Sequence, residues 1–344
     1  MFFRFLLLMK MVNRCLIKKL KRNTVLPFFA NMPQATIGIE ACGTAHYWAR
    51  QLLELGHDVK LIQPIRVKAF LGNHSKTDAA DARAICEALM HPGTRFVSIK
   101  TEQQQDMDHL LCMRETMIGT RTMLINQTRS FLAERGIIIP RGANYFKNEI
   151  APILAAHWEK FGRDFQTVLT ENVAAIEAIS QKLEFLDRML AKRASKIDEC
   201  KRLMSIKGIG VLTALAILIH VGDIRKFKNG RQMAAYFGLT PKEYSSGGKQ
   251  RYLNISKQGS KRLRTLLVLA ARTVINGIDR RKKNAQGQPT NLTNLDRWVV
   301  RLRNRKGIFK TTVALANKLV RIVWAVLINE EIFDPSRACM EPAT

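Results

Sequence analysis

A chain of 344 residues normally folds as two domains, each large enough to bury its own core. Its 56 Lys and Arg outnumber 28 Asp and Glu, a formal charge of +28 that favours a polyanion whose counterions leave on binding; a merely soluble basic protein is the plainer alternative. Six cysteines at 15, 42, 86, 112, 200 and 339 form no Cys-x-x-Cys pair, and the seven histidines show no zinc spacing, which excludes a disulfide-stapled or zinc-built fold and suits reduced thiols in a cytoplasmic, nucleoid-associated protein.

The opening Met1-Phe2-Phe3-Arg4-Phe5-Leu6-Leu7-Leu8-Met9-Lys10 is apolar but too short to span a bilayer, and no small-residue cleavage site follows. Neither an export signal nor a membrane anchor is expected. The first 39 residues hold seven Lys or Arg and no Asp or Glu. A basic strand is expected over 12–22, a short helix over 24–31 and a buried strand over 35–40 that ends at Glu40. Tyr47, Trp48, Leu52 and Leu55 have helical spacing within 44–55. Gly56-His57-Asp58 turns into a strand at 59–62, ended by Pro64, and a helix over 78–89 stops at His91-Pro92-Gly93. Strands alternating with helices imply an α/β domain, a sheet flanked by helices, over about 1–100.

A long helix over 103–134 closes at Gly136, and a second is expected over 165–198. In the second, Leu169, Ile176, Ile179, Leu183, Leu186 and Leu190 fit a heptad frame, with Asn172 as the polar exception. A coiled coil between protomers and a helix packed inside its own chain both fit, and residues 101–200 make a helical linker. A mainly α C-terminal domain is expected over 201–330, with 331–344 as a tail. Within it lie a helix over 211–219, a helix over 231–237 ending at Gly238, a Gly/Ser loop at 245–248 and a basic-fronted helix over 255–275. A polar, mobile loop follows at 280–291, then an apolar helix over 311–328. Residues 241–310 carry 18 Lys or Arg against Glu243, Asp279 and Asp296, a net of +15, which directs phosphate contact to this half.

Four clusters carry chemistry. Asp78 and Asp81, three apart at a helix start, share one face, and Glu40 at a strand end reaches the same spot if that helix crosses the strand. Together they suit Mg²⁺-assisted phosphodiester cleavage, whereas Asp78 on its own reads as a helix cap. Lys207-Gly208-Ile209-Gly210 resembles a helix-hairpin-helix turn, in which glycines admit a phosphate to free backbone N–H groups, or is simply a tight helix junction. Ser245-Ser246-Gly247-Gly248-Lys249-Gln250-Arg251 places two hydroxyls beside cations; it suits attack on phosphorus or is a plain turn. Lys257, Lys261 and Arg264 recur at i, i+4 and i+7 with Arg262 alongside, a basic stripe for phosphate or a solvated face.

In this order the pieces resemble the DEDD/serine transposases of bacterial insertion sequences, recombinases guided by a bridge RNA. The likeness runs over roughly residues 13 to 330. It rests on Ile39-Glu40-Ala41-Cys42-Gly43, His46-Tyr47-Trp48-Ala49-Arg50 and Lys76-Thr77-Asp78-Ala79-Ala80-Asp81. Gly208-Ile209-Gly210, Gly238-Leu239-Thr240-Pro241, Ser245-Ser246-Gly247-Gly248-Lys249, Ile255-Ser256-Lys257-Gln258-Gly259 and Ala314-Leu315-Ala316-Asn317-Lys318-Leu319 complete it. The resemblance implies a RuvC-like, RNase H-type first domain, a helical linker and a transposase domain. It implies Glu40, Asp78 and Asp81 as three of four Mg²⁺-binding carboxylates and a serine, Ser246 ahead of Ser245, that links covalently to DNA. It further implies donor and target DNA, a structured guide RNA and a homo-oligomer, dimer or tetramer, that builds composite sites.

One departure stands out. The family pattern opens with a strand carrying the first Asp, and here Met1 to Met11 is expected to replace that strand without a carboxylate. The expectation is a truncated or start-shifted copy, impaired in strand transfer. A metal-dependent nuclease acting by hydrolysis and a non-catalytic nucleic-acid-binding remnant are the competing readings.

Overall fold

The computed structural model describes residues 2–8, 15–71, 77–285 and 291–336, with side chains from residue 20 onward. It is mostly helical with a small mixed sheet, and it divides into two compact units, Met1–Gln105 and Asp106–Thr344.

The first unit begins with a hairpin. Strand β1 (Phe2–Leu8) pairs antiparallel with β2 (Cys15–Lys21), from Phe2↔Lys21 to Leu8↔Cys15. The segment that stands in place of the family's first strand is itself extended, since Phe and Leu favour extended backbone and a paired neighbour satisfies its amides, but among the described residues it pairs with β2 and not with the strands that follow. The absence of acids from it stands. After helix α1 (Val25–Ala30), β3 (Thr36–Glu40) runs parallel to β4 (Asp58–Ile62) through the crossover helix α2 (Ala45–Glu54). Trp48, Ala49 and Leu52 of α2 are buried with Ile37, Val59 and Leu61. Short helix α3 (Pro64–Lys68) leads to α4 (Asp78–Met90), and β5 (Phe96–Val97) completes the sheet order β3-β4-β5. Buried His57 ties α1 to this frame: its Nδ1 accepts from the Ala35 amide at 3.3 Å and its Nε2 lies 3.1 Å from the Phe29 carbonyl oxygen.

Helix α5 (Glu102–Ala133) leads into the second unit, followed by α6 (Ala143–His157) and α7 (Arg163–Ala194). The heptad face of α7 is used within the chain. Leu169 and Ile176 pack with Ile125 and Leu132 of α5 and Phe146 of α6. The polar exception has an internal partner as well, Asn172 donating to the buried Thr128 hydroxyl at 2.7 Å. Helix α6 had no counterpart in the expected elements. Further along α7, Leu186 and Leu190 join the largest core together with Met107 and Leu111 of α5.

That core is built by α8 (Asp198–Met204), α9 (Val211–Val221), α10 (Gly230–Tyr236), α11 (Lys261–Asn284) and α12 (Asn294–Asn329). Between α10 and α11 stands a second hairpin, β6 (Pro241–Glu243) with β7 (Tyr252–Ile255). Two expected elements differ. The helix expected from 255 starts at Lys261, because Lys257 and Gly259 have φ of 56° and 71° and cannot continue a right-handed helix. The loop expected from 280 is helical to Asn284, and residues 286–290 lie outside the described residues. Helix α12 is broken at Gly307 (φ 74°, ψ 169°). Its second half is apolar and, with the first, long enough to cross a membrane, yet Leu315, Ala316, Leu319, Val320 and Val323 are fully buried in the core.

Candidate functional site

The acidic trio is set by one close contact. Gly38 and Glu40 lie two apart on β3 and so face the same side of the sheet. A Cβ on Gly38 would sit 3.1 Å from Ile85 Cγ2 and 3.3 Å from Leu89 Cδ2, so glycine lets α4 press onto the strand there. Asp81 is one turn before Ile85 and Asp78 nearly one more, which puts all three acids on the α4–β3 face. Thr77 is the cap of α4, accepting from the Ala80 amide at 3.2 Å, so Asp78 is freed from the capping role and both aspartates lie in the first turn, where the helix dipole favours them. Glu40 and Asp81 are half-buried and Asp78 is exposed. Burial and then the Glu40 carboxylate push the neighbouring Cys42 thiol up from its ordinary value.

These donors are of the kind a magnesium ion takes. They do not fit as a finished site, however: among the described residues no group of three or more His, Cys, Asp or Glu side chains stands close enough to hold a metal ion. The acids share a face without converging on a point. Other residues of the expected motifs are structural. Arg50 donates to the Lys100 carbonyl oxygen and to Gln105 Oε1, both at 2.9 Å, and His46 Nδ1 accepts from the Lys100 amide at 3.2 Å.

The serines sit at the tip of the β6–β7 hairpin. Gly247 and Gly248 have φ of 58° and 77°, and the Lys249 amide donates to the Ser246 carbonyl oxygen at 3.1 Å. Two central residues at positive φ make this the tight turn type that matches strand twist. The two hydroxyls differ. Ser245 Oγ donates to Glu243 Oε1 at 2.7 Å and accepts from the Arg251 amide at 3.2 Å, clasping the hairpin just below its tip. Ser246 Oγ makes no hydrogen bond among the described residues and is exposed beside Lys249 and Arg251, which are exposed too. The clasp partner Glu243 was not among the expected site residues, and nothing in the sequence distinguishes it from a solvated strand residue.

The base of the hairpin is locked by backbone packing. A Cβ on Gly238 would lie 2.3 Å from the Gln258 amide nitrogen, and one on Gly259 would lie 2.4 Å from the Tyr236 carbonyl oxygen. The Lys257 amide donates to the Gly238 carbonyl oxygen at 3.1 Å across the same contact.

The expected phosphate-binding cations divide into two sets. Lys249, Arg251, Lys257 and Lys261 are exposed. Arg262 turns inward instead, 2.6 Å from Asp108 and 2.8 Å from Glu115, and Arg264 donates to the Phe237 and Gln258 carbonyl oxygens at 3.3 and 2.7 Å. The three-residue stripe therefore does not form as one helical face, since Lys257 precedes the helix. At the glycine turn, a Cβ on Gly208 would lie 2.6 Å from the Ala270 carbonyl oxygen, so that glycine serves packing against α11, whereas Gly210 is open and precedes α9. Lys207 lies 3.6 Å from Asp296, which is also held by Arg281 at 3.1 Å. Burial works against the Asp296 charge, but the Thr293 hydrogen bonds and both cations outweigh it and hold the carboxyl below its ordinary range. The sequence does carry a signal for Asp296, because Thr293-x-x-Asp296 spells the capping box that starts α12.

Comparison with known proteins falls on these same segments. Residues 200–286 match the profile described as "Transposase IS116/IS110/IS902 family", and residues 17–136 match that of the DEDD transposases of the IS110 type. The chain is 37% identical to a probable family 20 transposase of Pseudomonas aeruginosa, over 92% of this chain and 91% of that protein. It is 37% identical to the transposase for insertion sequence element IS1111A of Coxiella burnetii, over 92% and 84%. With the transposase for insertion sequence element IS1328 of Yersinia enterocolitica the identity is 34%, over 93% and 92%.

Proposed function

The chain belongs to the IS116/IS110/IS902 transposase family, and from that premise we propose that it moves DNA strands through a covalent link to Ser246. The observation that carries this reading is the contrast between the two hydroxyls: Ser245 is committed to Glu243 and Arg251, while Ser246 stands open at a two-glycine tip, paired across the turn with Lys249. In the reaction, Ser246 Oγ forms a bond to phosphorus and one bridging P–O bond breaks. The serine proton is balanced by the departing strand end, which leaves as a hydroxyl. Attack of another strand's hydroxyl on the phosphoserine ester reverses the exchange and restores the serine. One phosphoester replaces another, so no external energy source is required. Lys249 and Arg251 offset charge that develops on the non-bridging oxygens.

In this reading the first unit is a RuvC-like, RNase H-type frame, supported by the parallel β3–β4 pair with α4 pressed across it. Mg²⁺ belongs to the chemistry the family resemblance implies, and Glu40, Asp78 and Asp81 are its candidate donors, although among the described residues they are not gathered into one group. Further proposals are donor and target DNA together with a structured guide RNA, engaged by the basic 241–310 region through Lys249, Arg251, Lys257 and Lys261, and a homo-oligomer that completes the acidic site. A second reading is nucleic-acid binding with impaired strand transfer, supported by acids that share a face without gathering into a metal-holding group among the described residues. The test is adduct formation on DNA bearing the element's joined ends, with its flanking transcript present. A denaturant-resistant protein–DNA adduct is expected for the parent chain and none for Ser246→Ala. An adduct persisting in Ser246→Ala overturns the serine reading; strong DNA binding without any adduct favours the second.

A further inference from the structure

We infer that the groove between β7 and the second half of α12 holds a short single-stranded stretch of DNA. The inference rests on the serine reading for which strand lies there, but not for the binding itself. The groove has a volume of about 900 Å³. Trp298, packed on the core, lines it with Val313 and Ala314, while Phe309 lines it and is 86% exposed as a residue. A ring that bare contributes little to the fold, and a stacked base would cover it. Two residues before Phe309, Gly307 interrupts α12, so this ring sits in the opening turn of the second half-helix.

Among the described residues, every charged residue lining the groove is a cation: Lys257, Lys310, Lys318 and Arg321. Lys318 Nζ stands 5.0 Å from the Trp298 ring centroid. Aromatic faces and cations without a carboxylate complement a polyanion that also offers flat apolar rings, which describes an unpaired nucleotide. A duplex keeps its base faces inside its own stack and has only backbone and groove edges to offer Phe309. Unpaired nucleotides are what strand exchange creates. The groove also leads toward the serine. A recess of about 750 Å³ shares Leu253, Asn254, Ile255, Lys257 and Lys310 with it and continues along the hairpin to Lys242 and Tyr252. Tyr252 pairs with Glu243, and the Ser246 turn lies just beyond on the same hairpin.

The test is fluorescence anisotropy of the full chain with a labelled single strand of about 15 nucleotides, its duplex, and an RNA of the same sequence. Phe309→Ala is expected to weaken the DNA single strand about tenfold and the duplex by less than about twofold, with Phe309→Trp restoring the parent's binding. Lys310→Gln is expected to flatten the salt dependence of single-strand binding by about one phosphate contact. Thermal melts check that each variant is folded. Unchanged single-strand binding in Phe309→Ala, an equal loss on duplex, or a loss confined to RNA overturns the inference. Loss on the single strand with no covalent adduct from any version of the chain supports the groove and fails only the serine reading.

Discussion

The acidic face of the first unit and the serine hairpin of the second place their chemistry in opposite ways. The acids are carried by a strand end and a helix start, brought to one side by a helix pressed on Gly38, where the contacts are flexible side-chain ends, Ile85 and Leu89. The serine is carried by a tight turn whose base is fixed by backbone against backbone, Gly238 on Gln258 and Gly259 on Tyr236. The hairpin is finished within one chain, with a clasped Ser245 under an open Ser246; the acids share a face without converging. A contact made of side-chain ends can adjust when a partner or ion arrives. A backbone contact cannot, which suits the proposed nucleophile by holding it in place.

Substituting the glycines breaks that comparison most directly. Gly238→Ala forces a Cβ into the Gln258 backbone at φ 68° and is expected to cost about 3 kcal/mol or more, read as a lower denaturant midpoint. Asp296→Ala, which removes the buried carboxylate that caps α12 and faces the half-exposed Lys207 and Arg281, is expected to cost about 2 kcal/mol. Because the Asp296 pKa is depressed on folding, its contribution is complete above the ordinary carboxylate value of about 4 and is lost as pH falls through the folded value. The parent's stability should therefore drop in that acid window more steeply than that of Asp296→Asn, measured by urea melts at stepped pH. Gly38→Ala, by contrast, meets only side-chain ends and is expected to cost about 1 kcal/mol. A Gly38→Ala loss as large as that of Gly238→Ala would erase the distinction between the two regions.

The smallest effect separates outward from inward cations. Lys261→Ala should lower the salt slope of DNA binding by about 0.7 to 0.9 with little change in melting. Arg262→Ala, which removes the partner of Asp108 and Glu115, should do the reverse, lowering the melting temperature with the slope unchanged.

Much of the frame was legible because apolar spacing reports burial. Helices α2, α4, α5, α7 and α9 and strands β3 and β4 lie within a few residues of their expected bounds. The failures share a cause, which is that tertiary contacts decided where local pattern was weak. Residues Tyr252, Leu253 and Asn254 are exposed, so β7 shows no buried alternation, and the break at Lys257 and Gly259 is set by packing on Tyr236. The 280–284 helix end is cationic and resembles loop by composition. At the candidate sites, residue type singles out the acids and serines, whose roles are proposals, but type could not show that Arg262 and Arg264 turn inward, that Gly208 serves packing, or that Ser245 rather than Ser246 is clasped.

That last distinction is also the most direct measurement of the central claim. The covalent protein–DNA adduct is digested with protease and nuclease, and the modified peptide spanning 243–249 is sequenced by mass spectrometry. The expected result is a phosphate ester on Ser246. An ester on Ser245, or on the adjacent Tyr244, which is 72% exposed, would contradict the account.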